Sequence, residues 1–356
     1  MATKRGFQRG VYVSSKTAES SGSALAYGTA QAVDTMLRVS SDPFTYTEEL
    51  VYDLDIIGGL EEATKQDKLS QDVRFDLVFP RVKAHSMAFA YAYALGAYAI
   101  DNNGTSRRHT FTPATVFEMP SFTAEDLLFP GSGSGLMYRY PGCVVDTVEL
   151  SVARKGWWTM NVGCIGSGTR TAFATDPTAV EEPNEVPFKG GDASIYQGTA
   201  PSSMTAVLGS SQQTAGVTLS TKIVSLTYSL SNNISADDLY ELAGGLVRKR
   251  AERSRRTQEL SFTIELDSAT YLDHLTDQDT LSLEIDNDTG VLGGDLWNQG
   301  FQLTFPELQY RVANVSGGTD KLVVDIEATV QQDATNGSIQ VDVFNGQTTE
   351  YLTLNS

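Results

Sequence analysis

The chain has 356 residues, roughly two domains' worth, and its 40% hydrophobic and 20% charged residues can fill a core, which excludes wholesale disorder. Lys and Arg number 26 against 44 Asp and Glu, and a net charge of −18 argues against general wrapping of nucleic acid, because phosphate binding rests on clustered bases. No run reaches the ~18 apolar residues of a membrane-spanning helix, Lys4-Arg5 has no apolar stretch behind it to make a secretion signal, and two cysteines are too few for a disulfide scaffold, so a cytosol-made protein is expected.

Residues 1–36, rich in Ser, Gly, Ala and Thr without a sustained period, read as an N-terminal arm. A strand-like run follows over 44–55 and a polar loop over 56–70. Val73, Phe75, Leu77 and Phe79 then alternate with Asp72, Arg74 and Asp76, the signature of a strand with one packed face and one open face. Between Val82 and Leu95 the period changes to that of a helix, with Gly96 placed to cap it. Asn102-Asn103-Gly104 predicts a turn, and Arg108–Thr112 a returning strand.

The clearest hairpin joins Leu136–Val152 to Trp157–Ile165 through Arg154-Lys155-Gly156. Its turn sets Cys164 opposite about residue 146, so Cys143 and Cys164 are offset and a bond between them is not expected. Residues 169–216, with four prolines and a Ser/Gln/Thr/Gly tail, read as a connector. Strands resume at Val224–Leu230 and Leu260–Leu266, separated by a long polar loop over 232–256, and Asp267-Ser268 caps a short helix ending near Leu275. Leu281–Ile285, the hairpin Phe301–Phe305 with Val324–Val330, and Ile339–Val343 complete the predicted strands.

The two halves follow one order: strand, polar loop, alternating strand, helix, strand, hairpin. In the first these are 44–55, 56–70, 71–79, 82–96, 97–112 and 136–166; in the second 217–231, 232–256, 257–266, 268–276, 279–286 and 300–331. Tyr140-Pro141 and Phe305-Pro306 correspond within the hairpins. The order predicts an internal duplication of pattern rather than of letters.

Catalytic motifs are missing from the pattern. His85, His109 and His274 lie far apart without metal-ligand spacing and read as surface or helix histidines. Gly131–Gly135 lacks the Lys-Ser/Thr of a phosphate loop, and Asp286–Gly290 lacks the closing Glu of a calcium loop and reads as a hairpin turn. No Gly-x-Ser-x-Gly elbow occurs in a strand-to-helix setting, and no carboxylate pair stands out from so acidic a surface. No enzyme activity, metal or cofactor is expected.

One charge feature stands out. Residues 248–256 hold six bases and one acid, +5 in nine positions. They can be a solvated loop, a nucleic-acid contact, or a surface that docks on acidic loops of an identical neighbour. The equivalent loop of the first half holds Glu61, Glu62 and Asp67, and the connector adds Glu181, Glu182 and Glu185, which favours self-docking. The candidates for contact between copies are therefore Arg248, Lys249, Arg250, Arg253, Arg255 and Arg256 against Glu61, Glu62, Asp67, Glu181 and Glu182.

The segment Tyr138-Arg139-Tyr140-Pro141-Gly142-Cys143-Val144-Val145, continued through Asp146 to Ser151, resembles the Tyr-Pro-Gly-Cys-Val-Val hairpin start of tail tube proteins from long-tailed, siphovirus-like bacteriophages. The strand ending in Gly166-Ser167-Gly168, the run from Gly58-Gly59 to Leu95-Gly96, and the strand from Ser225 to Asn232-Asn233 are similar too. Together they touch most of residues 37–345.

The resemblance implies a mainly β (α+β) protein: two tandem tail-tube-type β-sandwich domains, each with one flanking helix, whose inner strands form a ring-spanning β-barrel. The expected division is an arm 1–36, a first domain 37–168, a connector 169–216, a second domain 217–345 and a tail 346–356. The implied function is a structural virion protein, the major tail tube subunit, assembled in the host cytoplasm into stacked rings that conduct DNA. Partners are other copies of itself, as a homotrimer ring of pseudo-sixfold symmetry or a homohexamer, a tape-measure protein, tail terminator and distal tail proteins, and double-stranded DNA in passage, with no membrane. Lumen candidates are Thr147, Glu149 and Ser151 or Ser261, Thr263 and Glu265. The alternative is a monomeric β-sandwich binding module for carbohydrate or adhesion, with Trp157-Trp158 as its suspected platform.

Overall fold

A computed structural model describes residues 10–14, 27–40, 43–52, 66–103, 105–127, 137–173, 185–199, 217–241, 245–292, 297–317, 321–347 and 351. The chain is mostly β, and every strand pair is antiparallel. The strands are β1 (Gly10–Val13), β2 (Thr35–Leu37), β3 (Phe44–Tyr52), β4 (Gln66–Phe79), β5 (Gly96–Asn103), β6 (Ser106–Pro113), β7 (Phe122–Leu127), β8 (Met137–Ala153), β9 (Thr159–Gly166), β10 (Thr171–Phe173), β11 (Ala193–Thr199), β12 (Val217–Thr218), β13 (Ile223–Ser231), β14 (Thr257–Glu265), β15 (Thr280–Leu292), β16 (Asn298–Gly317), β17 (Leu322–Val330) and β18 (Gln340–Asn345). Among the described residues two α-helices, α1 (Ala84–Leu95) and α2 (Thr270–Thr276), each follow an alternating strand.

Eight strands hydrogen-bond edge to edge in the order β3-β4-β9-β8-β13-β14-β17-β16. The long strands β8 and β16 then leave this layer at their N-terminal halves. That half of β16 pairs β15 and β18, giving a second layer β12-β11-β15-β16-β18-β6-β5. The same half of β8 pairs β7 and β10, with β1 and β2 beyond β7. The eight-strand sheet does not close into a barrel within the chain.

Alternation decides which side of each strand is buried. Val73, Phe75, Leu77 and Phe79 of β4, and Leu260, Phe262 and Ile264 of β14, join one continuous core with Phe301, Leu303 and Phe305 of β16. One ring pair crosses between the halves, Trp158 against Phe301, and Tyr228 meets Phe305 within the second, with centroids 5.1 Å apart in each case. All twelve residues of α1 are buried, and its five alanines let β6, β8 and β18 approach it from several sides. Ser86 Oγ accepts the Lys83 N–H at 3.0 Å at one end of the helix, and Gly96, in the left-handed region at φ 87°, ends it.

Several expectations need correction. The predicted arm contributes β1 and β2, and the predicted connector contributes β10 and β11, with β11 paired to β15 over seven residues. Asp286–Gly290 is no turn but the interior of β15, where Asp286 and Asn287 face Gln302 and Phe301 and are buried. His85 and His109 are also buried, each hydrogen-bonded within a polar group beside Tyr351 and Asn345. Asp267 does not cap α2; it pairs with Lys222 at 2.6 Å, while Ser268 Oγ accepts the Thr270 N–H at 3.2 Å. Gly131–Gly135 lies outside the described residues.

Candidate assembly surface

The face of the eight-strand sheet turned away from the core is mostly polar, with Val78, Val312 and Val323 among its few apolar residues. At one level Asn161, Glu149, Ser229, Glu259 and Thr329 are successive cross-strand partners; at the next, Thr159, Ser151, Thr227, Ser261 and Glu327. Thr147, Glu149, Ser151, Ser261, Thr263 and Glu265 all lie on this one face, so the two sets drawn from the sequence as alternatives belong together. An open depression among Thr147, Glu149, Asn161, Ser231 and Glu259 hollows it near the middle. Short polar contacts hold its side chains: Ser151 to Thr159 at 2.8 Å and Thr263 to Asp325 at 2.7 Å. Hydrogen bonds from Arg154 at 2.7 Å and Lys321 at 3.0 Å keep the Glu265 carboxyl below the usual range.

In the middle of this sheet β8 meets β13, from Ser231 opposite Thr147 to Ser225 opposite Ala153. At the upper end, a β-bulge in β8 between Val145 and Thr147 projects Asp146. Its carbonyl accepts the Asn232 N–H at 2.8 Å and its carboxylate the Ile234 N–H at 2.9 Å. Buried Asn232 stitches the seam to the helix, donating to Val145 O at 2.9 Å and Ala94 O at 3.1 Å. At the lower end Arg154 donates to the carbonyls of Ile223, Thr221 and Lys222. A joint closed at both ends by polar side chains is specified in register, since a slip of one residue would turn every side chain to the wrong face.

The sheet's outer strands have no such closure. Among the described residues β3 pairs only with β4, and β16 beyond Tyr310 pairs only with β17. Val315 on β16 is 48% exposed and Leu50 on β3 is 38% exposed. Unpaired strand margins with apolar residues are templates for further strand addition.

Much of the basic loop works inside the chain. Arg248 is buried and donates to Ala236 O, Gly166 O and Asp72 Oδ1, the last at 2.7 Å. Burial pushes the Asp72 carboxyl up, but the hydrogen bond and charge of Arg248, with Arg74, outweigh it and leave it below the usual range. Arg256 donates to Asn232 Oδ1 and to the last carbonyls of α1, Ala94 and Leu95, where a cation also meets the negative end of the helix dipole. Burial pulls its pKa down to about 10, so it stays charged at neutral pH. Arg253 donates to Ala114 O and Val116 O and lies over the Phe117 ring. Lys249, Arg250 and Arg255 remain exposed.

Of the acidic candidates, Asp67 is exposed on β4, whereas Glu185 is buried and accepts the His85 N–H at 2.6 Å. Glu61, Glu62, Glu181 and Glu182 lie outside the described residues. Trp158 is core, and Trp157 lies under Arg81 and Lys189, 5.1 and 5.3 Å from its centroid, which leaves no open aromatic platform there. Cys143 and Cys164 are buried free thiols. No cluster of three or more His, Cys, Asp or Glu suited to a metal occurs among the described residues.

Sequence reasoning missed Asp146, Asn232 and Arg311, the last of which pairs with Glu259 at 3.2 Å and Glu327 at 2.8 Å on the open face, as surface-organising residues. Asn232-Asn233 marked a strand end, but a bulge leaves no composition signal, so Asp146 and Arg311 read as ordinary members of alternating strands.

No curated protein matches the chain. Among solved structures it is similar to one described as "Crystal structure of Hcp protein", at 13% identity over 42% of this chain and 98% of that chain, with a TM-score of 0.24, too low to carry an argument. The family described as "Phage tail tube protein" matches residues 17–343, most of the chain. The chain therefore belongs to the phage tail tube protein family, as a structural component of the virion.

Proposed function

We propose that this chain is the major tail tube subunit of a long-tailed phage, and that three copies close into a ring whose bore is lined by the polar face of the eight-strand sheet. The observation that carries this reading is the β8–β13 joint, which lies inside the chain while equivalent margins, β3 and the end of β16, are left at the two sides.

The two quartets β3-β4-β9-β8 and β13-β14-β17-β16 have one connection order, which supports residues 37–168 and 217–345 as duplicated tube-fold units. Their bulges also coincide: β8 bulges between Val145 and Thr147, and β16 between Tyr310 and Val312. The same offset that matches the bulges matches Pro141 with Pro306, so the correspondence rests on two independent features. The units share one core, with β18 of the second paired to β6 of the first, and so act as one block.

Three such chains would make a twenty-four-stranded barrel, roughly 35–50 Å across at the backbone for ordinary strand spacing and tilt. That leaves room for a DNA duplex inside the side chains, whereas six full chains would double the width. Glu149, Glu259, Asp325 and Glu327 on the lining face would repel phosphates over a Debye length of ~8 Å, which keeps the passing duplex from adhering. Closing the ring removes both exposed margins. Rings would stack through the ends of the strands, where Lys249, Arg250 and Arg255 of the 232–256 loop are exposed. Tape-measure, terminator and distal tail proteins would set the length and ends of the tube in the host cytoplasm.

Electron microscopy of the purified protein tests the reading. Rings or tubes with three chains per layer are expected. A monodisperse monomer at high concentration would refute assembly, and six full chains per layer would refute the threefold arrangement.

A further inference from the structure

Resting on that ring reading, we propose that Arg311 selects the correct neighbouring copy by meeting the acidic end of β3, in the register that the internal β8–β13 joint already displays. Arg311 and Asp146 are the projecting residues of the two matched bulges, with opposite charges. Following the paired strands outward from the bulges sets Thr147 against Val312, Phe75 against Leu260, and Phe44 and Thr47 against Tyr228 and Ser231. Transferring the internal pairing then places Thr47, Tyr46, Thr45 and Phe44 of one copy opposite Val312, Ala313, Asn314 and Val315 of the next.

This register satisfies both faces. Thr47 and Thr45 meet Val312 and Asn314 on the polar side, and the rings of Tyr46 and Phe44 cover Ala313 and the exposed Val315 on the core side. A one-residue slip would reverse all four.

Inside the chain, Asp146 reaches the backbone of Asn232 and Ile234. The positions equivalent to Asn232, Asn233 and Ile234 on β3 are Glu48, Glu49 and Leu50. A carboxylate in the bulge would face like charge there; Arg311 instead faces opposite charge. Arg311 is available for this: its guanidinium is half exposed, and its ion pairs among the described residues are to exposed Glu259 at 3.2 Å and Glu327 at 2.8 Å. Glu49 is exposed and accepts one hydrogen bond from Ser70, at 3.0 Å, leaving capacity for a second partner. The reversed bulge charges make the two joints non-exchangeable, so β3 docks on β16 of another copy rather than displacing β13 from β8.

The test compares full-length wild type with Arg311→Glu, Glu49→Arg and the double variant, and separately with a Thr47→Cys, Val312→Cys pair. Each single reversal should raise the concentration needed for assembly at least tenfold, with the monomer's circular dichroism unchanged, and the double variant should recover most of it. Oxidising assembled Cys-pair protein should give a covalent ladder that ends at the trimer. Arg311→Glu assembling at the wild-type concentration, or assembled rings in which the cysteines do not cross-link, would overturn the proposal while leaving the tube reading intact. Wild type that never assembles would overturn both.

Discussion

Asp146 of β8 and Arg311 of β16 project from bulges at matching places on two long strands, each five residues beyond a proline and each beside a charge of opposite sign. Arg311 holds Glu259 at 3.2 Å, while the Arg74 charge favours the ionised Asp146 carboxylate. On the proposed match of the two quartets, Arg74 and Glu259 take equivalent positions on β4 and β14, so the pair would be charge-reversed between them. Burial raises the Asp146 pKa, and the Ile234 N–H and Arg74 oppose that rise.

The internal joint should depend on Asn232. Asn232→Ala removes donors to Val145 O and Ala94 O and an acceptor for Arg256, all at a buried site. A loss of about 2–4 kcal/mol is expected from leaving such groups unpaired, read as a lower urea midpoint at unchanged slope.

The basic loop should divide into structural and surface residues. Arg248→Met leaves the buried Ala236 and Gly166 carbonyls without their donor, while Asp72 keeps Arg74 at 2.8 Å, and a loss of about 2–4 kcal/mol is expected. Arg250→Glu and Arg255→Glu, both at exposed positions, should change stability by no more than about 0.5 kcal/mol while impairing stacking of rings. Denaturation curves and tube yields on the same preparations separate the two groups.

Stability should fall as pH drops through the range set by His109. Burial lowers its pKa to about 4, against the opposing hydrogen bond from Nε2 to Asn345 Oδ1 at 3.0 Å, while Nδ1 meets the Tyr98 hydroxyl at 2.8 Å. The unfolded imidazole takes up a proton near pH 6.5 and the folded one does not until about pH 4, so the unfolded state binds more protons between these values. The loss across that window is on the order of 3 kcal/mol. Urea midpoints from pH 7 to pH 4 should show the decline, and His109→Gln should flatten it.

Both thiols should be silent in the native protein. Cys143 and Cys164 are buried, and burial drives the Cys164 thiol well above its ordinary pKa, so little reactive thiolate forms. A thiol reagent should label neither residue in the folded chain and both in denaturant; rapid native labelling would contradict the packing of β8 against β9.

The sequence by itself determined the local elements with strong periods. Alternation at Val73–Phe79 and Leu260–Ile264 specifies a strand and its buried face, and Ala-rich helical spacing ending at Gly96 specifies α1, because these signals lie within one turn or one pleat. It also placed the six lining candidates on open faces, since Thr147, Glu149 and Ser151 alternate with Val148 and Leu150. Only the tertiary structure decided that the two open faces are one, because that depends on β8 and β13 pairing across seventy residues. It alone decided that half of the +5 loop is internal: whether an arginine meets solvent or a buried carbonyl depends on what the fold brings beside it. The bulges at Asp146 and Arg311 were equally hidden, since one extra residue in a ladder is defined by its partner strand and not by its own neighbours in sequence.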